Sequence, residues 1–184
     1  MIRTSAIEAT GTEHVLRRVL VATDGGKASS GAERVGIELA SVTGASLIVV
    51  SVIDPARLQL PGGLFLTRVD QVRTDRERVL ARTIKNARKL GVASQFLIWE
   101  GDPGDGVIEA AEAEGADVIV VGSHARGPVG RLLLGSVSAY VVAHARGPVL
   151  VIRPGQQLAD VWPKVAPSGA DTPIAGRGAA PRPV

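Results

Sequence analysis

A basic, glycine-rich segment covers residues 122–136 and reads GSHARGPVGRLLLGS. Gly122 lacks a Cβ, so the backbone there can approach a ligand closely. Arg126 and Arg131 supply positive charge, and Ser136 opens a helical pattern whose free N–H groups favour an anion. The residues leave two interpretations open: a cradle for a phosphate, or a plain loop in which Ser136 caps the next helix.

Three familiar motifs for nucleotide binding or hydrolysis do not fit this sequence. A P-loop needs Gly-x4-Gly-Lys-Ser/Thr, but Gly26-Lys27 is followed by Ala28 and has Val21 at the first glycine position. The glycines within 101–106 do not have the Gly-x-Gly-x-x-Gly spacing of a dinucleotide fingerprint. The sequence also lacks a Gly-x-Ser-x-Gly elbow, so it gives no support for a hydrolase triad.

Strand and helix patterns alternate along the chain and would position this segment. Apolar runs predict strands at 19–23, 46–52, 95–100, 117–122 and 148–153, and the strands at 19–23 and 46–52 are expected to be buried. Helical patterns follow at 30–44, about 66–90, 102–115 and 136–145. This order predicts an α/β fold, a doubly wound five-stranded parallel sheet with helices on both faces. The fourth strand is the most aliphatic, so we expect it at the centre.

Local signals mark where several of these helices begin and end. Ser30 and Glu33 have the spacing of a capping box, and Gly44 suits a left-handed helix end. Asp102 and Pro103 have the residue preferences of an N-cap and a first helical position.

The helix predicted at about 66–90 is strongly charged. Its apolar residues recur at helical spacing and mark a buried face. We interpret its charged residues as mostly a solvated face. They are Arg73, Asp75, Arg76, Glu77, Arg78, Arg82, Lys85 and Arg88.

Composition excludes several kinds of function. The 184 residues are 45% hydrophobic but only 3% aromatic, include no cysteine and carry a net charge of +3. Disulfides and thiolate metal sites are therefore excluded, and dispersed basic residues argue against nucleic-acid binding. His14, His124 and His144 form no cluster with metal-ligand spacing, so we predict no metal site in the protein itself.

One domain accounts for most of the chain. We expect a flexible segment at 1–16, a single domain at 17–154 and a disordered tail rich in Pro, Gly and Ala at 155–184. The first residues have no apolar core of signal-peptide length, and no apolar run approaches about 18 residues. The expected location is the cytoplasm, without contact with a membrane.

Two stretches of the sequence carry a family resemblance. VIVVGSHARGPVGRLLLGSVSAYVVAHARGPVLVIR, together with VLVATDGG, resembles the universal stress protein (UspA) family from about Val19 to Arg153. Nucleotide-binding members carry Gly-x2-Gly-x9-Gly-Ser/Thr, and Gly122 and Gly135-Ser136 match its two ends. The middle glycine is replaced by Ala125. The resemblance implies an adenine nucleotide α-hydrolase-like, Rossmann-like fold.

The resemblance also implies a ligand and the residues that bind it. The ligand would be ATP or AMP, accompanied by Mg²⁺. Asp24 would approach the ribose, Ala22 would lie beside the nucleoside, and Val52 would face the adenine. The residues implied around the phosphates are Gly122, Ser123, His124, Ala125, Arg126, Gly127, Gly135, Ser136, Val137 and Ser138.

Ala125 decides how tightly a nucleotide would bind. If this position needs a positive φ, a side chain costs roughly 1–2 kcal/mol, and a tenfold change in affinity needs only about 1.4 kcal/mol. Alanine therefore predicts binding that is weakened, or absent if its methyl group points at a phosphate.

Three functions follow from these residues. The leading one is a nucleotide-binding stress-response regulator without catalytic residues, since no side chain is placed as a general base. The second is a dimeric interaction or chaperone-like module that has lost the nucleotide, as Ala125 suggests. The third, an ATP-using enzyme, would need Ser-Gly-Gly-x-Asp-Ser after the first strand, where residues 24–29 read DGGKAS.

The last predicted strand, 148–153, is expected at an edge of the sheet. Its unpaired backbone groups would invite another chain, and the resemblance implies a homodimer built by pairing such strands. The alternative is that the tail after Pro154 folds back and covers this edge.

Overall fold

A computed structural model describes residues 16–58, 65–123 and 134–162. Residues 1–15 of the predicted flexible segment 1–16, and residues 163–184 of the predicted tail 155–184, lie outside these residues. The strands are β1 (Arg18–Ala22), β2 (Ser46–Ile53), β3 (Ser94–Glu100), β4 (Val118–Gly122) and β5 (Val149–Ile152). The α-helices are α1 (Ser30–Thr43), α2 (Phe65–Lys89), α3 (Pro103–Ala113), α4 (Ser136–His144) and α5 (Leu158–Val161), and a 3-10 turn covers Pro55–Leu58.

The five strands form one parallel sheet in the order β3-β2-β1-β4-β5. The predicted Rossmann-like α/β class is confirmed, and β5 lies at an edge as expected. The expectation that β4 is central is wrong, because β1 occupies the centre and β4 lies beside it. An aliphatic run shows that a strand is covered on both faces, which holds for every interior strand and does not rank them.

Helices cover both faces of the sheet, as predicted. On one face, which we call the α1–α2 face, Val21 and Val49 pack with Val35 and Leu80. On the other, the α3–α4 face, Leu20, Val50 and Val121 pack with Val107 and Val141. The chain builds β2 and β3 on one side of β1 and then crosses to β4, so the winding direction reverses between β1 and β4. Sheets of this kind bind ligands beyond the carboxyl ends of the strands at such a point.

The start of α1 differs from the predicted capping box. The N-cap is Ser29, with no capping hydrogen bond from its side chain, and the Ser30 hydroxyl donates to the Lys27 carbonyl (2.8 Å). The Glu33 carboxylate accepts from the hydroxyls of Thr23 (2.5 Å) and Thr83 (2.9 Å) instead. Partners from β1 and α2 therefore replace the local contact on which the prediction depended.

Other helix ends agree with the sequence signals. Gly44 has φ 71° and ends α1 in the left-handed conformation. Asp102 accepts from the amides of Gly104 (2.8 Å) and Asp105 (3.3 Å), and Pro103 begins α3.

Residues 155–162 correct the prediction that the tail begins directly after Pro154. They include the one-turn helix α5, whose Gln157 and Asp160 form a capping box. Leu158 is buried on the α1–α2 face, and Arg34 donates to the Gln156 carbonyl (2.5 Å) and the Gln157 side chain. A single buried leucine in a Pro- and Gly-rich sequence gives no periodic signal, so pattern analysis missed this anchor.

Candidate functional site

The carboxyl ends of β1, β2 and β4 meet at a pocket of about 140 Å³ at the point where the winding reverses. Most of the residues that the sequence analysis selected and that the structure describes line it. They are Ala22, Asp24, Val52, Gly122, Gly135, Ser136, Val137 and Ser138. The remaining lining residues are Thr23, Ala28, Ser29, Val50, Pro103, Val107 and Val121.

The other selected residues are elsewhere. Ser123 does not line the pocket: it is 0% exposed, and its amide donates to the Ile152 carbonyl (2.8 Å). Its hydroxyl is buried with no hydrogen-bond partner among the described residues. His124, Ala125, Arg126 and Gly127 lie outside the described residues, so their roles stay predictions.

One wall of the pocket is apolar. Val50 and Val52 come from β2, Val121 from β4 and Val107 from α3. Gly106 lets α3 approach this wall, because a Cβ built there would lie 2.9 Å from Val52 Cγ1. The wall suits a flat, weakly polar group such as a heteroaromatic ring.

Asp24 supplies the carboxylate of the described lining. Its Oδ1 accepts from the Gly26 amide (2.9 Å) and the Ser29 hydroxyl (2.7 Å). Partial burial acts to raise the pKa of Asp24, but these two hydrogen bonds and the positive charge of Arg76 together lower it below its ordinary value of 3.8. Asp24 is therefore ionised near neutral pH and can accept hydrogen bonds from ligand hydroxyl groups.

Hydrogen bonds behind Asp24 fix the loop that carries it. Ser29, buried at the start of α1, lies 2.8 Å from the Thr23 hydroxyl, which also accepts from the Gly25 amide (2.9 Å). Thr23 in turn donates to Glu33, which also accepts from Thr83 on α2. This network could not be predicted from the sequence, because its members come from β1, α1 and α2 and meet only in the folded chain.

Gly122 has a packing role that the sequence did not indicate. A Cβ built on Gly122 would lie 2.6 Å from the Ala28 carbonyl oxygen and 3.2 Å from Ser29 Cα. Contacts this short to backbone atoms cannot be relieved by a side-chain rotation. The glycine thus lets the loop before α1 pack directly on the end of β4, and both Gly122 and Ala28 line the pocket.

The first turn of α4 lines the pocket and carries backbone donors. Gly135 is the N-cap, so Ser136 is the first helical residue, and the alternative in which Ser136 caps the helix is wrong. The first helical bond runs from the Ala139 amide to the Gly135 carbonyl (2.9 Å). The amides of Ser136, Val137 and Ser138 thus have no acceptor within the helix, and they carry the positive end of its dipole.

The pocket therefore has both polar and apolar lining. It has an acceptor at Asp24, an apolar wall on β2 and α3, and donors at the start of α4. A fitting ligand would carry hydroxyl groups, a flat apolar ring and an anion. Among the described residues, no group of three or more His, Cys, Asp or Glu side chains could hold a metal ion.

No helix in residues 16–58, 65–123 or 134–162 is both long and apolar enough to cross a bilayer.

Residues 16–153 match the sequence model of the universal stress protein family. A curated universal stress protein of Thermus aquaticus is 33% identical over 148 residues, covering 76% of this chain and 100% of that relative. A crystal structure of a family member from Burkholderia pseudomallei is 32% identical with a TM-score of 0.64, covering 76% of this chain and 97% of that one.

A universal stress protein from Archaeoglobus fulgidus, solved in complex with dAMP, is 26% identical with a TM-score of 0.55. The match covers 75% of this chain and 98% of that one. The family model spans most of the chain, and the Thermus relative is matched along its full length. The chain therefore belongs to the universal stress protein family.

Proposed function

We propose that the pocket binds an adenine nucleotide, ATP or AMP, and that the protein is a nucleotide-binding stress-response regulator. The observation that carries this proposal is that Asp24, the valine wall and the first turn of α4, whose amides have no acceptor within the helix, line one pocket. The similar Archaeoglobus protein was solved with dAMP, a ligand with the same three chemical parts.

Each part of a nucleotide has a matching surface in this proposal. Asp24 accepts a hydrogen bond from the ribose, beside the backbone of Ala22. The adenine lies against Val52 and Val107, and the phosphates lie at the amides of Ser136 and Val137. His124, Ala125, Arg126 and Gly127 would complete the phosphate contacts.

Mg²⁺, if it accompanies ATP, would be bound mainly through phosphate oxygens, because the described lining offers a single carboxylate, Asp24. We assign no catalytic residue. The proposed ligand belongs to the intracellular nucleotide pool, which is in keeping with a cytoplasmic protein. The proposed nucleotide-binding domain is 17–154.

Calorimetric titration of the full chain with ATP and with AMP tests this function. Saturable heat with a one-to-one stoichiometry supports it. Mass spectrometry of nucleotide retained by the freshly purified protein identifies the ligand. Absence of heat up to about 1 mM nucleotide, where the binding free energy would be only about −4 kcal/mol, would contradict it. That result favours the second function, an interaction module without nucleotide, for which Ala125 is the supporting feature.

We also propose a homodimer through β5. The ladder with β4 uses the amides of Leu150 and Ile152, as the register and the bond from the Ile119 amide to the Pro148 carbonyl require. The amides of Val149 and Val151 therefore point to the open side. Val151→Pro removes one of them without breaking the β4 ladder, so sedimentation should show a weaker dimer while circular dichroism stays native. A dimer of unchanged strength would place the contact elsewhere.

A further inference from the structure

The strand β3 forms the edge of the sheet opposite β5. It pairs with β2 from Ser94 to Glu100, and no strand among the described residues pairs with its other side. The Leu47 amide donates to the Ala93 carbonyl and the Gly101 amide donates to the Ile53 carbonyl, which fixes the ladder. In a parallel ladder with this register, Gln95, Leu97 and Trp99 bond to β2. The amides and carbonyls of Phe96 and Ile98 therefore point away from the sheet.

In the part of the chain that the structure describes, this edge lacks several features that commonly prevent pairing with another chain. Proteins commonly protect an edge strand by keeping it short or by placing proline, lysine or a bulge on it. β3 has seven residues, SQFLIWE, with neither proline nor lysine, and the Phe96 side chain is 37% exposed. By contrast, β5 has four residues and lies between Pro148 and Pro154. β3 is therefore the longer and less protected edge.

A positively charged groove runs along this open edge. It has a volume of about 820 Å³ and lies between the last turns of α2 and the start of β3. Ile84 and Phe96 form part of its apolar base, and Lys85, Arg88 and Lys89 line it as well. None of these three cations forms an ion pair within the described residues.

The sequence that forms the groove contains basic residues and no acidic residue over a long stretch. No acidic residue occurs between Glu77 and Glu100 in the sequence. Glu100 itself pairs with Arg73, and Glu114 accepts from the Gln95 side chain (3.0 Å) near the start of the strand. The groove between these two ends therefore favours a negatively charged occupant.

We propose that β3 and this groove bind an acidic, extended peptide segment of a partner protein, which adds to the sheet as a further strand. The outward amides and carbonyls of Phe96 and Ile98 would form the ladder, the apolar base would hold alternate side chains, and Lys85, Arg88 and Lys89 would pair with acidic ones. This activity is separate from the nucleotide pocket, which lies at the carboxyl ends of β1, β2 and β4.

Charge also argues against two other occupants of the groove, a second copy of the chain and residues 163–184. A second copy of the chain would bring one basic groove against another, which is unfavourable. Residues 163–184 contain Lys164, Arg177 and Arg182 but only one acid, Asp171, so this part of the chain does not complement the groove either.

The test uses the full-length chain and two fluorescein-labelled synthetic heptapeptides, one alternating Glu with Val and one alternating Lys with Val. We expect saturable fluorescence anisotropy with the acidic peptide, with a Kd well below about 1 mM, and none with the basic one. Amide hydrogen exchange at Phe96 and Ile98 should slow when the acidic peptide is bound. Equal binding of both peptides, or no binding of either, would overturn the proposal.

Matched variants separate charge recognition from strand addition. Arg88→Glu should weaken the acidic peptide about tenfold or more, whereas Arg146→Glu, the same charge reversal beside the opposite edge, should change it less than about twofold. Phe96→Pro removes an outward amide and an apolar contact but no ladder bond to β2, so it should abolish binding while circular dichroism stays native.

Three results would contradict the proposal that a partner peptide adds to the sheet as a strand. One is unchanged binding by Phe96→Pro. Another is protection of the Phe96 and Ile98 amides in the free, dilute chain, which would show that a segment of the chain itself, such as residues 1–15, covers the edge. The third is self-association that Phe96→Pro removes, which would assign the edge to a second copy.

Discussion

Gly122 at the end of β4 packs against the carbonyl group of Ala28, so closely that a Cβ at Gly122 would lie 2.6 Å from that oxygen. Ala28 lies in the connection from β1 to α1, and both residues line the pocket. The glycine that opens the family motif is thus needed to assemble the pocket, before any ligand is bound.

Gly122→Ala should therefore destabilise the folded protein and distort the pocket. Overpacking against backbone atoms typically costs about 1–3 kcal/mol, and we expect that loss in the free energy of unfolding measured in urea, together with weaker ATP binding. Gly147→Ala is the matched control, because a Cβ there meets no atom within 4 Å. It should change stability by less than about 0.5 kcal/mol. Equal stability of the two variants would show that the Ala28 contact relaxes without cost.

Asp24→Asn tests the proposed ribose contact. The variant keeps the size of the side chain and an oxygen that can accept from Gly26 and Ser29, but it removes the charge. Hydrogen bonds to charged groups contribute about 1.5–3 kcal/mol, so the affinity for ATP should fall about tenfold or more by calorimetry. Asp54→Asn is the control, since Asp54 pairs with Arg57 and does not line the pocket. If both variants bind ATP equally well, Asp24 does not contact the ligand.

The lowered pKa of Asp24 predicts a particular dependence of stability on pH. A carboxyl group with a lower pKa in the folded state than in the unfolded state stabilises the fold above its unfolded value, here about 3.8. This stabilisation is lost as the pH falls through the folded value. Urea unfolding of the native chain and of Asp24→Asn should thus show a gap in stability near pH 7 that shrinks below about pH 4. A gap that widens in acid would contradict the lowered pKa.

The sequence predicted most of the architecture because its signals are local. Each strand contains a short apolar run, and Gly44 and Asp102 mark helix ends through their own backbone and side-chain geometry. The central position of β1 was not predictable in this way, because strand order depends on which crossovers the helices make. The anchor at Leu158 was missed for a related reason, since a single apolar residue has no period.

The candidate site was predictable only in part. Asp24 and Val52 were selected because the resemblance to the universal stress protein family implies them, and both lie at the edge of the parallel sheet where strands end. Val107 and Ser29 were missed, because a helical valine and a turn serine look the same whether they line a pocket or not. The capping box of Ser30 and Glu33 was predicted wrongly, because their local spacing fits one and the actual partners of Glu33, Thr23 and Thr83, are distant in sequence.

Ala125→Gly restores the middle glycine of the motif and should strengthen nucleotide binding. If the backbone there needs a positive φ when a nucleotide is bound, removing the Cβ recovers roughly 1–2 kcal/mol, which corresponds to about a 5- to 30-fold gain in affinity for ATP. Because the gain arises in the complex, the free energy of unfolding of the free protein should change little. Calorimetry measures the affinity of the native and variant chains for ATP. Urea unfolding of both chains is the control. An affinity that stays the same or falls would show that the alanine methyl group does not limit binding. If the variant binds ATP and the native chain does not, this methyl group alone had blocked the nucleotide.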